Sequence, residues 1–186
     1  MEISPIIGIT GEKGSGKTSL CEWCASEYRS RGFDVAGIIS PGSFVDGEKK
    51  KILAKDIRSG DTRVLAEKLT QLDTSSITPA WEIVDSTLDW GNNILKNSVP
   101  CDLLIIDELG QLELIYRKGW MSAFQILEAK RFHLALVVVR SQMLSKAKEI
   151  LGDIIVFEVS GKDPSLNQQR IEKVMSETLR SRKGEH

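Results

Sequence analysis

Apolar residues along this chain fall into short unbroken blocks, and the stretches between them repeat their apolar positions at helical spacing. Ile6, Ile7 and Ile9 make the first block and predict a buried strand. Leu20, Cys21, Cys24, Ala25 and Tyr28 then recur on one helical face until Gly32 stops the helix. Val35 to Ser40 predicts a second strand and Leu103 to Ile106 another, buried on both faces. From there the alternation is regular: a helix around Trp120 to Lys130, a strand from Leu134 to Val139, a helix from Gln142 to Leu151, a strand from Ile154 to Val159, and a terminal helix after Pro164. Strands alternating with helices predict an α/β fold around a central, mostly parallel sheet. Right-handed crossovers would gather the loops that follow the strands along one edge, where ligands bind.

Residues 41–65 break that grammar. Pro41 and Gly42 interrupt the chain, Asp46 and Gly47 signal a hairpin turn, Lys51 to Ile57 can extend, and Ser59, Gly60 and Asp61 turn the chain again. A β-hairpin insertion after the second strand follows. Thr78 and Pro79 predict a helix start, with Trp81, Val84, Leu88 and Leu95 on one face of a helix running to about Asn97.

The first strand leads directly into Gly11, Glu12, Lys13, Gly14, Ser15, Gly16, Lys17 and Thr18, and then into the first helix. That string, in that position, is a phosphate-binding P-loop. Glycines let successive backbone N–H groups turn inward on a polyanion with no side chain in the way. Lys17 is spaced to reach the β- and γ-phosphates, and the Thr18 hydroxyl is placed to ligate Mg²⁺. Glu12 and Ser19 complete the binding segment. Lys13 invites comparison with P-loops carrying an extra lysine directly after the first glycine, but Glu12 holds that place. Lys13 therefore reads as a solvated loop charge.

Leu103 to Gly110 reads LLIIDELG, an apolar strand delivering Asp107 and Glu108 at its end. A carboxylate there is costly unless something pairs with it. Thr18 and Mg²⁺ supply a partner for Asp107, and Glu108 is positioned to polarise an attacking water as general base. Asp107 to Gly110 also spells DxxG, an element of guanine-nucleotide switches. The guanine-reading [NT]KxD string is missing, since Ser160 to Asp163 reads SGKD.

The 186 residues suit one domain spanning 1–186, with a polar tail at 180–186 expected to fray. A net charge of −1 gives no global attraction to nucleic acid or to an acidic membrane, so any polyanion is bound locally. No stretch reads as a signal peptide, and the longest apolar run is too short to cross a bilayer, so the expected location is the cytoplasm. Three cysteines fit a reducing compartment. Cys21 and Cys24 form a CxxC, but they share the apolar helix face and no further ligand pairs accompany them, so they read as core.

The GxxGxGKT loop, the hairpin insertion and DELGQLEL at Asp107 to Leu114 together resemble the small nucleoside-triphosphatase family first named from thermophiles, whose second motif is a DEIGKMEL-like string. The resemblance implies a RecA-like, three-layer P-loop fold and slow hydrolysis of ATP, GTP and other triphosphates with loose base preference. It places Asp107, Glu108, Gly110 and Glu113 on motif positions. Two positions depart from it: Gln111 stands where the family has lysine, and Ser19 where a threonine is common. Glu113 is open to a functional or a purely structural reading. Charge on the γ-phosphate calls for a further cation. Arg140, at the end of the strand Leu134 to Val139, is the best candidate, ahead of Arg58, Arg63, Arg117 and Lys118. A basic run at Lys49, Lys50, Lys51, Lys55 and Arg58 reads as a solvated β-ribbon. The leading reading is an Mg²⁺-dependent nucleoside triphosphatase. A nucleotide or small-molecule kinase and a slowly hydrolysing adaptor are the alternatives, and no feature names a protein partner.

Overall fold

The computed structural model describes residues 4–161 and 163–181. Five strands form a parallel core: β1 (Ile6–Thr10), β2 (Val35–Ile39), β7 (Cys101–Leu109), β8 (Phe132–Val139) and β9 (Ile154–Glu158). Their spatial order is β2-β7-β8-β1-β9, with every neighbouring pair parallel. The pleat explains why the central runs of these strands are continuously apolar. Ile7, Ile9, Leu103 and Ile105 point to one face and pack with Leu20, Cys21, Cys24, Ile171 and Met175. Ile6, Leu104 and Ile106 point to the other face and pack with Leu95, Ala123, Leu127 and Ala147. Both faces are therefore covered: α1 (Lys17–Ser30) and α6 (Pro164–Ser181) lie on the first, α2 (Asp85–Lys96), α4 (Ser122–Ala129) and α5 (Leu144–Leu151) on the second. The three-layer α/β architecture agrees with the sequence reading.

An antiparallel extension continues the sheet beyond β2 and is longer than the predicted hairpin. β3 (Gly42–Val45), β4 (Glu48–Asp56), β5 (Thr62–Lys68) and β6 (Trp81–Ile83) pair in succession, and β4 attaches to β2. The Asp46–Gly47 turn forms as expected, with positive φ at both residues. The predicted helix start at Thr78 is wrong. Thr78 sits in a turn, its hydroxyl donating to the Trp81 carbonyl at 2.9 Å. Trp81, Glu82 and Ile83 then fill the open edge of β5, and the helix begins at Asp85. Trp81 and Ile83 alternate as a strand while Trp81, Val84 and Leu88 keep helical spacing, and the unpaired backbone of β5 decides between them.

The expected strand Leu103–Ile106 runs further, through Asp107 and Glu108 to Leu109. The predicted helix at Gln142 is split into a 3₁₀ turn, Ser141–Met143, followed by α5. α6 reaches Ser181, past the point where fraying is expected; residues 182–186 lie outside the described residues. Cys21, Cys24 and Cys101 are free, buried thiols, and burial pushes Cys24 and Cys101 up to about 12. They are packing residues.

Candidate active site

β1 ends at Thr10, the chain arches from Gly11 to Gly16, and α1 begins at Lys17. Gly11, Gly14 and Gly16 have φ of 145°, 80° and 92°, a region closed to residues with a Cβ, so only this glycine spacing lets the loop close. No side chain caps α1; Gly16 is its N-cap, leaving the first-turn N–H groups and the positive end of the helix dipole for an anion. The Lys17 ammonium donates to the carbonyls of Gly11 at 2.9 Å and Glu12 at 2.7 Å, which holds its charge over the arch. Glu12, Lys13 and Gly14 are exposed, so they contribute backbone rather than buried side chains. The Ser15 hydroxyl is buried with no partner among the described residues, as is that of Thr10.

Asp107 stands across from the loop on β7, only 2% exposed. Burial pushes its carboxyl up to about 6, opposed chiefly by a hydrogen bond from the Thr18 hydroxyl. Ser40, the residue after β2, holds it from the other side: its N–H donates to Asp107 Oδ2 at 3.2 Å, and its hydroxyl donates to the Asp107 carbonyl at 2.6 Å. Thr18 and Asp107 form a hard-oxygen pair beside the cradle, and no cluster of three carboxylate, histidine or cysteine ligands exists among the described residues. Two protein oxygens, with phosphate and water completing the shell, is how Mg²⁺ is ordinarily held, so the residues present fit that ion. The sequence reading named Ser40 only as the end of the second strand, without a role in the site. Its role depends on β2 lying next to β7, which spacing along the chain does not reveal.

The ladder between β7 and β8 pairs Ile106 with Val137 and Leu109 with Val139, so Asp107 and Glu108 together oppose one residue. This bulge turns consecutive carboxylates to different tasks. Asp107 stays buried, whereas the Glu108 side chain is 28% exposed and ion-paired with Arg140 Nε. Arg140 follows β8, so the strand order brings the predicted base and the predicted cation together. The rival arginines are engaged elsewhere. Arg58 pairs with Asp34 at 2.6 Å and donates to the carbonyls of Asn97 and Pro100; Arg63 lies over Trp90 and Arg117 over Phe124. Two lysines of the basic ribbon pair with its own acids, Lys50 with Glu48 and Lys51 with Glu67.

Glu113 takes the structural reading. It lies in the short helix α3 (Gln111–Leu114), 5% exposed, and accepts the Gly110 N–H at 2.9 Å and the Trp120 N–H at 3.2 Å. It thereby ties the loop after β7 to the loop entering α4. Gly119 is required beside it: a Cβ there would sit 1.9 Å from Glu113 Oε1. Gln111 is exposed at the start of α3 and makes no side-chain bond that would substitute for a lysine's charge. Thr18, Asp107, Glu108 and Arg140 open together onto a cleft of about 280 Å³.

A family model described as NTPase matches residues 6–181. The nucleoside-triphosphatase THEP1 of Methanosarcina acetivorans is 25% identical over 175 residues, covering 94% of this chain and 97% of that protein. The nucleoside-triphosphatase THEP1 of Methanothermobacter thermautotrophicus is 29% identical over 164 residues, covering 81% and 84%. Among solved structures, a human cancer-related nucleoside triphosphatase superposes with a TM-score of 0.70 at 17% identity, over 94% of this chain and 98% of that one. THEP1 from Aquifex aeolicus superposes at 0.64 with 19% identity, over 91% and 98%. Because the family model extends from the first strand through the last helix, taking in the P-loop, the β7 carboxylates and Arg140 alike, the chain belongs to this family of P-loop NTPases.

Proposed function

We propose that this protein is an Mg²⁺-dependent hydrolase that converts ATP, GTP and other nucleoside triphosphates to diphosphate and phosphate with little regard for the base. The observation that carries the reading is the pairing of Glu108 with Arg140 beside Thr18 and Asp107, at the open side of a P-loop. The names of the relatives, nucleoside-triphosphatase THEP1, point the same way. The backbone N–H groups from Gly11 to Thr18, with Ser19 at the next position, bind the phosphates. Lys17 leaves the loop carbonyls for the β- and γ-phosphates. Thr18 and Asp107 would hold Mg²⁺, which when bound neutralises charge on those phosphates.

Glu108 accepts the proton of the attacking water as the new oxygen–phosphorus bond forms and the bond from the γ-phosphorus to the bridging oxygen breaks. Arg140 orients that carboxylate in the ground state and supplies positive charge as the γ-oxygens develop theirs. All of these contacts are to phosphate, which every triphosphate shares, and this supports the loose base preference. We place the activity in a single domain over 1–186 and in the cytoplasm; among the described residues no helix is long and apolar enough to cross a membrane.

The test is phosphate release from ATP, GTP, CTP and UTP, with and without Mg²⁺, by the intact protein and by Glu108→Gln. Release from several triphosphates is expected only with the metal. The substitution should lower it by about 10²- to 10⁴-fold, the usual contribution of general base catalysis. Nucleotide binding should persist in the variant. Release that survives Glu108→Gln unchanged would remove Glu108 as the base.

A further inference from the structure

The cleft beside Glu108 is much larger than hydrolysis needs. One water occupies about 30 Å³, whereas the cleft measures about 280 Å³ and approaches the lower limit of small-molecule sites. Its polar end is formed by Thr18, Asp107, Glu108 and Arg140. No loop residue from Gly11 to Lys17 lines it, so a bound triphosphate would reach it only by its γ end.

Away from that end, the cleft has an apolar wall built by the antiparallel extension. Ile52, Ala66 and Ile83 are directly opposite one another on β4, β5 and β6, giving a cross-strand row that lines the cleft. Trp81 and Leu88 add to it, and neither is fully buried. Lys49, Thr78 and Gln111 supply polar atoms along the lining. An apolar compartment with a few polar groups, ending at a carboxylate that serves as a base, has the make-up of a substrate site. Bulk water needs no such wall.

We propose that this cleft is an acceptor site for a nucleoside, whose flat base lies against Trp81 and the Ile52–Ala66–Ile83 row and whose primary hydroxyl reaches Glu108. The inference rests on the hydrolytic reading, because the same base and the same triphosphate act in both. The hydroxyl oxygen bonds to the γ-phosphorus, its proton passes to Glu108, and the bond to the bridging oxygen breaks. A nucleoside monophosphate and a nucleoside diphosphate leave. A nucleoside fits the cleft because its base has two apolar faces and polar edges, while its sugar carries the hydroxyl at the opposite end. Water and nucleoside then compete for one phosphoryl group.

The experiment supplies ATP and Mg²⁺ to the intact protein with adenosine, guanosine, cytidine, uridine or thymidine at millimolar concentration. Nucleoside monophosphate is followed by mass spectrometry and free phosphate by colorimetry. At least one nucleoside is expected to appear as its 5′-monophosphate while free phosphate falls at least twofold. Ile83→Trp, which fills the row, is expected to lower the ratio of transfer to hydrolysis at least tenfold, with ATP binding as the check on folding. Phosphate release that depends on Mg²⁺ and Glu108, with no nucleoside monophosphate from any of the five, would overturn the acceptor site and leave the hydrolase intact. Transfer without free phosphate would do the reverse.

Discussion

Glu113 makes two bonds that only a folded chain can offer, and its titration should report them. Burial raises its carboxyl above the ordinary 4.5, against the lowering effect of the Gly110 and Trp120 N–H groups. The native state therefore holds that proton more tightly than the unfolded chain does. The sign follows: the stability this group contributes is greatest below about 4.5 and declines as pH rises through its raised native value. Glu113→Gln resembles the protonated acid, so the stability of the parent relative to this variant should fall with rising pH over that window and level off above it. Glu113→Ala strands both N–H donors and should cost about 1–3 kcal/mol at low pH, the difference from the parent narrowing as pH rises over the same window. Urea unfolding of the three proteins between pH 4 and 8 checks both; a pH-independent difference for the glutamine variant would contradict the buried-acid account. Lys17, Thr18, Asp107 and Glu108 were legible in the sequence because their spacing encodes local geometry. The sequence marked Glu113 but left its role open, and it gave Ser40 no site role, since each acts on residues that only the sheet order and the return of the chain at Gly119 and Trp120 bring near.

Elements were legible where one period dominates and ambiguous where two coincide. β1, β7 and β8 carry unbroken apolar runs, such as Leu103–Ile106 and Leu134–Val139, because helices cover both faces, and α1 shows its buried side plainly. At Trp81 to Leu88 a short alternation, Trp81 and Ile83, overlaps a helical spacing of Trp81, Val84 and Leu88, and the outcome depends on β5, an edge no local window contains. The packing of α2 is equally nonlocal. Gly91 lies on its buried side against Trp120, and an added Cβ would come within 2.4 Å of the indole. A lone glycine inside a helix usually costs about 1 kcal/mol relative to alanine, so Gly91→Ala on propensity alone would stabilise. Here the steric conflict wins. The substitution should destabilise by about 1–3 kcal/mol, the usual range for overpacking a core, and should shift the Trp120 fluorescence. A rise in melting temperature would show that α2 can move away from Trp120 at little cost.

At the scale of the whole molecule, the phosphate loop and Asp107 are separated by one strand: the loop follows β1, Asp107 is on β7 across β8, and Ser40 follows β2 beyond it. A triphosphate held by both ends of that span ties α1 to the far half of the sheet, so binding should stabilise the fold as a unit. A ligand present at 100 times its Kd adds about 2.7 kcal/mol to the native state. For a chain of this length each kcal/mol moves Tm by about 2–4 °C, so saturating ATP with Mg²⁺ should raise Tm by roughly 5–11 °C. Glu108→Gln should keep the shift, because that carboxylate acts on the attacking group rather than on the bound phosphates. Lys17→Ala should lose most of it. Chelating the metal should reduce it as Asp107 and the phosphates are left to repel one another across the Thr18 hydroxyl. Differential scanning calorimetry of the three proteins with ATP, with and without Mg²⁺, separates these effects. A full shift without metal would remove Thr18 and Asp107 from its coordination, while a shift that survives Lys17→Ala would place the triphosphate somewhere other than the P-loop.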